Sequence, residues 1–326
     1  MSITEIDRSL VARFSAAVPR YTSYPTAPHF HSGVDADTYR SWLAECPADA
    51  SVSLYLHIPF CDRLCWFCAC HTKQVLRYDP VAAYLEALSA EIATVYGLLE
   101  RRSISAIHLG GGSPTMLSPS DVAGLGTTLR SVFSLEAGCE ISVEVDPNDL
   151  DEARFDAWQG FGVTRASFGV QDFDATVQQT INRLQSFEDT SKAVSGFRER
   201  GVASVNLDVL YVLPHQTLDT LASTLEQVIS LRPDRVALFG YAHVPWMKKH
   251  QRLIDDKVLP DALQRFTQAR LGASMLAEAE RASVGLAEMA REGLRLDPVS
   301  IEKIAEASGR RDRWTRPLMR LRGHFD

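Results

Sequence analysis

The sequence predicts an α/β fold built on a parallel sheet of six βα units. Between residues 51 and 245, short β-rich runs alternate with longer helical patterns, the rhythm of strand–helix repeats. The helical segments, such as residues 80–99 and 217–231, place apolar residues at three- and four-residue spacing and are long enough to cross back over a sheet. Gly-rich and polar sequences recur directly after the strands. Six such units fit either a partial, open (β/α) barrel or a doubly wound sheet, and periodicity does not choose between them.

Strands are expected at 53–58, 106–110, 140–145, 165–170, 204–210 and 235–241. Residues 1–50 read as an N-terminal arm, including the Pro- and Tyr-rich run PRYTSYPTAPHF at 19–30, expected to be irregular. Residues 246–326 read as a helical extension, with a helix at 261–282, ending in a basic tail that carries Arg310, Arg311, Arg313, Arg316, Arg320 and Arg322.

Composition narrows the setting. An apolar fraction of 45% and a charged fraction of 23% over 326 residues are those of a globular protein. No membrane span is expected, for want of an apolar run of about 18 residues. The opening MSITEIDRSLVARF carries acidic residues and no long apolar stretch, so a cytoplasmic address is the expectation. A net charge of −7 argues against nucleic acid as a partner, because backbone binding needs clustered cations.

Six cysteines in a reducing compartment are poor disulfide candidates. Cys46 and Cys139 stand alone and read as small apolar residues, whereas Cys61, Cys65, Cys68 and Cys70 fall within ten residues. The spacing Cys61-x3-Cys65-x2-Cys68 puts three thiolates on one loop directly after a strand, suited to three irons of a [4Fe–4S] cubane. The fourth iron then keeps an open position that can take the amino and carboxylate groups of S-adenosylmethionine. Zinc is the alternative, with Cys70 or His71 completing a tetrahedral set; structural zinc loops usually split their ligands into two separated pairs, and this loop does not. Trp66 and Phe67 either shield a cluster, stack on an adenine or pack the loop.

In both candidate folds the ligand site lies beyond the carboxyl ends of the strands. The run from Gly110 through Gly111 and Gly112 to Ser113 lets backbone approach a ligand. Glu144 ends the third strand and can accept hydrogen bonds from a ribose or an ammonium group; Gln171, Arg183 and Asp208 occupy equivalent positions.

These runs, PRYTSYPTAPHF, SLYLHIPFCDRLCWFCAC, HLGGGSPT, ISVEVDP, GVQDF, INRLQ, NLDVLY and FGYAHVP, resemble the oxygen-independent coproporphyrinogen III oxidase (dehydrogenase) family of radical S-adenosylmethionine enzymes. The resemblance covers about residues 15–280. It implies a partial (β/α)6 TIM-like barrel with an N-terminal arm and a short helical C-terminal extension. It also implies oxidative decarboxylation of two propionates of coproporphyrinogen III to vinyl groups, giving protoporphyrinogen IX. A 5′-deoxyadenosyl radical takes the hydrogen from each propionate β-carbon, and loss of carbon dioxide and one electron completes each vinyl.

By the same resemblance Cys61, Cys65 and Cys68 are the cluster ligands. Tyr55, Phe67, Gly111, Gly112, Ser113, Glu144, Gln171, Arg183, Asp208 and Ala242 contact one of two S-adenosylmethionine molecules. Tyr55 and Cys70 are the candidate catalytic residues, the Cys70 thiol reading as ligand, substrate-facing group or packing. The implied partners are the porphyrinogen and a reductant such as flavodoxin or ferredoxin, with the protein a monomer.

Two departures stand out. Val212 occupies the glycine position of the family's Tyr-Gly-Leu-Pro run, where it is expected to crowd the ligand or to take a strained φ. Residues 284–290 (VGLAEMA) replace a GLDHFA-like run, and the chain ends at 326, before the family's C-terminal domain. The alternatives are a haem- or porphyrin-binding, chaperone-like protein that keeps the cluster without turnover, a truncated and impaired family member, and a non-catalytic zinc or scaffold protein.

Overall fold

Period-two alternation along the strands separates two chemically different faces. β6 (Arg165–Gln171) buries Ala166, Phe168 and Val170 on one side and turns Ser167 and Gly169 to the other. β7 (Ser204–Tyr211) buries Val205, Leu207 and Val209 opposite Asn206 and Asp208, and β5 (Ser134–Val145) buries Ile141, Val143 and Val145 opposite Ser142 and Glu144. β4 (Ser103–Gly111) and β1 (Val52–Ile58) follow suit, with His108 on the polar side of β4 and Tyr55 and His57 on that of β1. The chain is a computed structural model describing residues 8–15, 29–47, 49–99, 103–148 and 150–291.

With β8 (Arg235–Gly240) these strands form one all-parallel sheet in the order β1-β4-β5-β6-β7-β8. The strand order never reverses. Right-handed crossovers then leave every connecting helix on the same face, whereas a doubly wound sheet needs a reversal point. The choice left open by periodicity is therefore the partial barrel, with β1 and β8 as its two edges. Its outer, apolar face is covered by α3 (Asp79–Leu99), α4 (Pro119–Val132), α5 (Glu152–Phe161), α7 (Phe187–Glu199) and α8 (Leu218–Ser230); α6 (Ala175–Thr180) is a short turn before α7. Phe197 packs edge-on against Phe155 at 5.5 Å and Phe168 at 5.7 Å, joining α5, α7 and β6 in one core.

The polar face becomes the barrel lumen. A cavity of about 360 Å³ occupies its lower half, lined by Ser53, His108, Ser142, Ser167, Asn206 and the Arg165–Glu140 ion pair. A closed TIM barrel fills this space with branched apolar side chains; here polar side chains share the lining with Leu54, Ala106, Ile107 and Ala166, and a cavity remains.

Six elements differ from expectation. The arm contains two helices, α1 (Arg8–Phe14) and α2 (Ala36–Glu45), the second capped by the Asp35 carboxylate accepting from the Thr38 N–H at 2.9 Å. α2 buries no residue, so no apolar stripe announces it. Two short strands, β2 (Phe60–Cys61) and β3 (Lys73–Gln74), pair in parallel and close the cysteine loop. α9 (Ala262–Arg291) runs on beyond 282. Finally, α3 is long and apolar enough to cross a membrane by length and composition, contrary to the compositional reading; in the fold it is the β1–β4 crossover, burying Val81, Leu88, Ile92 and Leu99.

Residues 284–290 lie within α9. Residues 19–28 of the Pro- and Tyr-rich run and the arginines at 310–322 lie outside the described residues.

Candidate active site

The cysteine loop leaves β1 and is stitched to its neighbours by backbone. Lys73 N–H donates to Pro59 O at 2.7 Å and Val75 N–H to Cys61 O at 3.0 Å. From the segment after α6, Ile181 O accepts from Trp66 N–H at 2.8 Å and the Asn182 amide donates to Leu64 O at 2.8 Å. From the end of β4, Gly112 N–H donates to Ile58 O at 2.8 Å and Ser113 N–H to Phe60 O at 2.7 Å.

That last contact revises the role of the glycines. A Cβ on Gly112 would stand 2.3 Å from Phe60 O and one on Gly111, where φ is +116°, 2.5 Å from the His57 ring. The close approach they permit is first of all to the cysteine loop itself. Gly112→Ala is expected to lower stability by roughly 2–4 kcal/mol, from overpacking plus the two loosened hydrogen bonds, as read by urea unfolding; a loss below about 0.5 kcal/mol would contradict the close packing.

The three thiols differ electrostatically. Burial pushes the Cys61 thiol up to about 12, with Cys68 and Cys65 adding to the rise. Burial also raises Cys65, against the opposing pull of the Arg183 guanidinium, whose Nη1 stands 3.5 Å from its sulfur. Cys68 is lowered to about 6, chiefly by a hydrogen bond from the Cys70 thiol, and its sulfur accepts from Cys70 N–H at 3.4 Å. Cys70 is raised correspondingly. The pull is toward the thiolate, the form that binds metal.

Arg183 is 8% exposed. It donates to Gly169 O at 2.8 Å and to the Asp146 carboxylate at 3.2 Å, while its Nε is buried without a partner. A guanidinium with donor capacity left over beside a buried thiol suits an anionic group at that position.

Across the mouth, Glu144 accepts from Gly111 N–H at 2.8 Å and faces His108 Nε2 at 3.5 Å. Burial acts to raise its carboxyl, but these hydrogen bonds prevail and it sits below the ordinary value. His108 is fixed by Ser142 Oγ on Nδ1 at 2.6 Å and stacks on Tyr55, ring centroids 5.6 Å apart. Tyr55 is 57% exposed into the lumen, its hydroxyl 3.0 Å from His57 Nδ1. Asp208 is raised by burial and accepts from Asn206 at 2.7 Å and Ser167 at 3.1 Å.

Gln171 ends β6 with φ at 65°, a left-handed conformation unusual for a residue with a side chain. The next residue, Asp172, is buried and pushed up to about 6 by that burial. It accepts from Gln216 at 2.6 Å; Gln216 O in turn accepts from Gln268 at 3.0 Å, and Gln268 Oε1 accepts Val212 N–H at 2.8 Å. This chain of buried amides holds another left-handed residue, Val212. Val212 has φ 67° and is 2% exposed, so of the two expected consequences of replacing glycine, the strained φ is the one realised. Its side chain packs beneath the mouth with Val177, Ile181 and Tyr241, and Trp66 and Phe67 lie against the same cluster. Both aromatic residues therefore take part in packing the loop.

The expected residues gather at one mouth. Electrostatic neighbours of Cys70 include Glu144, Cys61 and Tyr55, and those of Asp208 include Glu144 and Arg183. Ala242 is tied to Phe67 through Gln251, which donates to both carbonyls. Sequence reasoning missed His57 and His108, although both share the lumen-facing parity of Tyr55 and Glu144. It also missed Asp146, one residue past β5.

Among the described residues no three His, Cys, Asp or Glu side chains converge as the shell of one ion requires. Ligands of a cubane each reach a different iron and stand further apart than the shell of one ion, and three thiols on a single loop fit that donor set.

A family model described as the Radical SAM superfamily matches residues 55–228, more than half the chain. The oxygen-independent coproporphyrinogen III oxidase of Bradyrhizobium diazoefficiens is 49% identical over 275 residues, 84% of this chain and 61% of that protein. Its counterpart in Escherichia coli is 37% identical over 293 residues, 89% of this chain and 64% of that protein. The solved structure of the Escherichia coli coproporphyrinogen III oxidase (HemN), described as a radical SAM enzyme, superposes with a TM-score of 0.76 at 37% identity, covering 79% of this chain and 59% of that one. The chain thus spans about three-fifths of the length of the curated relatives it matches. With six parallel strands carrying a three-cysteine loop to their common mouth and the family model laid across them, the chain belongs to the radical SAM superfamily.

Proposed function

We propose that this chain converts coproporphyrinogen III to protoporphyrinogen IX by oxidative decarboxylation, as a cytoplasmic step of porphyrin and haem synthesis. Superfamily membership implies a [4Fe–4S] cluster and S-adenosylmethionine, and the relatives named coproporphyrinogen oxidases narrow the substrate. The observation that carries the reading is the gathering of Cys61, Cys65 and Cys68 at one mouth with Glu144, Arg183 and Asp208. When bound, the cluster and S-adenosylmethionine supply a carbon-centred radical.

The chain's own residues bind, orient and enclose. Cys61, Cys65 and Cys68 hold the cluster. Glu144, fixed by Gly111 N–H, receives the ribose or ammonium group of S-adenosylmethionine, and the turn at Gly111, Gly112 and Ser113 borders its amino-acid end. Tyr55, Phe67, Gln171, Arg183, Asp208 and Ala242 complete the contacts to a first and a second S-adenosylmethionine. Tyr55 and Cys70, both exposed at the lumen, are the groups we assign to contact the porphyrinogen. A flavodoxin or ferredoxin supplies electrons to the monomer.

The reduced, reconstituted protein, incubated anaerobically with S-adenosylmethionine and coproporphyrinogen III, is expected to yield protoporphyrinogen IX. Formation of 5′-deoxyadenosine without vinyl product would contradict the substrate assignment.

A further inference from the structure

The chain leaves β8 at Gly240 and folds into a single 3₁₀ turn, Lys249–Leu253. From this turn and its capping residue Lys248 three side chains reach back, across more than 170 residues of sequence, to three carbonyls of the cysteine loop. Lys248 Nζ donates to Cys70 O at 2.8 Å, His250 Nε2 lies 2.6 Å from Cys68 O, and Gln251 Nε2 donates to Phe67 O at 2.8 Å. Gln251 is 0% exposed, and its Oε1 accepts Val244 N–H at 2.6 Å, so the amide is locked at both ends. Ile254, buried in the apolar cluster with Val212 and Tyr241, pins the far side of the turn.

We propose that this hook is the positioning device of the cysteine loop and that Lys248 sets the reduction potential of the bound cluster; the inference rests on the cluster reading above. Holding Cys68 O and Cys70 O immobilises the segment in which Cys70 N–H donates to Cys68 Sγ. Hydrogen bonds to cluster sulfurs and nearby charge are two of the levers on cluster potential. A cation anchored on the Cys70 carbonyl supplies such a charge, and it favours the reduced cluster by opposing its added electron. Gln251 carries no charge and acts only through geometry.

The two roles separate by variant. Lys248→Gln removes the charge while keeping an amide donor at a partly exposed position. It is expected to retain wild-type iron, sulfide and melting temperature while its midpoint potential moves to more negative values. At a fixed ambient potential the oxidised-to-reduced ratio should rise roughly threefold to tenfold. Gln251→Glu replaces the buried donor facing Phe67 O with an acceptor, and is expected to speed chelator-driven loss of the cluster by about tenfold or more. Midpoint potential and chelator kinetics are measured on both reconstituted variants beside the wild type. A loaded wild type with both variants unshifted would overturn this inference alone. A wild type that takes up no iron and sulfide would overturn the cluster reading, and this inference with it.

Discussion

Cys65→Ser is expected to leave the chain folded and without its cluster. Cys65 is the buried member of the ligand set, lying against the Arg183 guanidinium. Serine preserves the volume and a hydrogen-bond acceptor for Arg183, so packing and the neighbouring ion pair persist. A hydroxyl does not deliver the thiolate that iron binds. Reconstituted Cys65→Ser should therefore carry less than about a tenth of the wild-type iron and sulfide, with a melting temperature close to that of the cluster-free wild type. Retained visible absorbance at wild-type intensity would refute the ligand assignment.

Arg183→Leu is expected to damage the fold as well as the site. Arg183 ties three elements together: Asp146 after β5, Gly169 within β6 and Cys65 in the cysteine loop. Removing it leaves the Asp146 carboxylate, itself largely buried, without its counter-charge. Breaking a buried pair in this way costs about 3–5 kcal/mol. Urea unfolding of the cluster-free protein measures this directly, and a loss under about 1 kcal/mol would show that the pair is solvated. Pairing Arg183→Leu with Asp146→Leu should recover part of the loss, because the uncompensated charge is then gone.

The sheet was legible because each strand is short, β-rich and followed by a polar or Gly-rich turn, and because the mouth of a parallel sheet is always at the carboxyl ends. All six expected strands are present, five within three residues of their limits and β5 starting six residues early, at Ser134. The barrel itself was not legible from periodicity. It follows from the unreversed strand order, a property of pairing rather than of any one segment. Glu144 and Asp208 were found by position, as polar residues toward strand ends; Arg183, expected by the same logic, lies beyond α6 in the connection that follows β6. His57 and His108 escaped although the same parity rule reaches them, because alternating polar residues inside a barrel look like a solvent face in sequence.

What sequence could not supply is contact across long separations. The hook at Lys248, His250 and Gln251 has no pattern of its own; its meaning comes from carbonyls in the cysteine loop. The glycine run illustrates a correct signal with a revised target. Close backbone approach was expected at Gly112, and the structure has it, to Phe60 and Ile58 of the same chain. Val212 shows the reverse: the strain anticipated from a valine in place of glycine is present, and the amide chain through Gln268, Gln216 and Asp172 holds it in place.

The central claim is that Cys61, Cys65 and Cys68 hold a [4Fe–4S] cluster with one iron open to S-adenosylmethionine. Anaerobic reconstitution followed by electron paramagnetic resonance of the reduced protein, with and without S-adenosylmethionine, tests it most directly. The account predicts about four irons and about four sulfides per chain, and a reduced-cluster signal that changes when S-adenosylmethionine is added. A chain that binds zinc alone, or a cluster signal unmoved by S-adenosylmethionine, would contradict it.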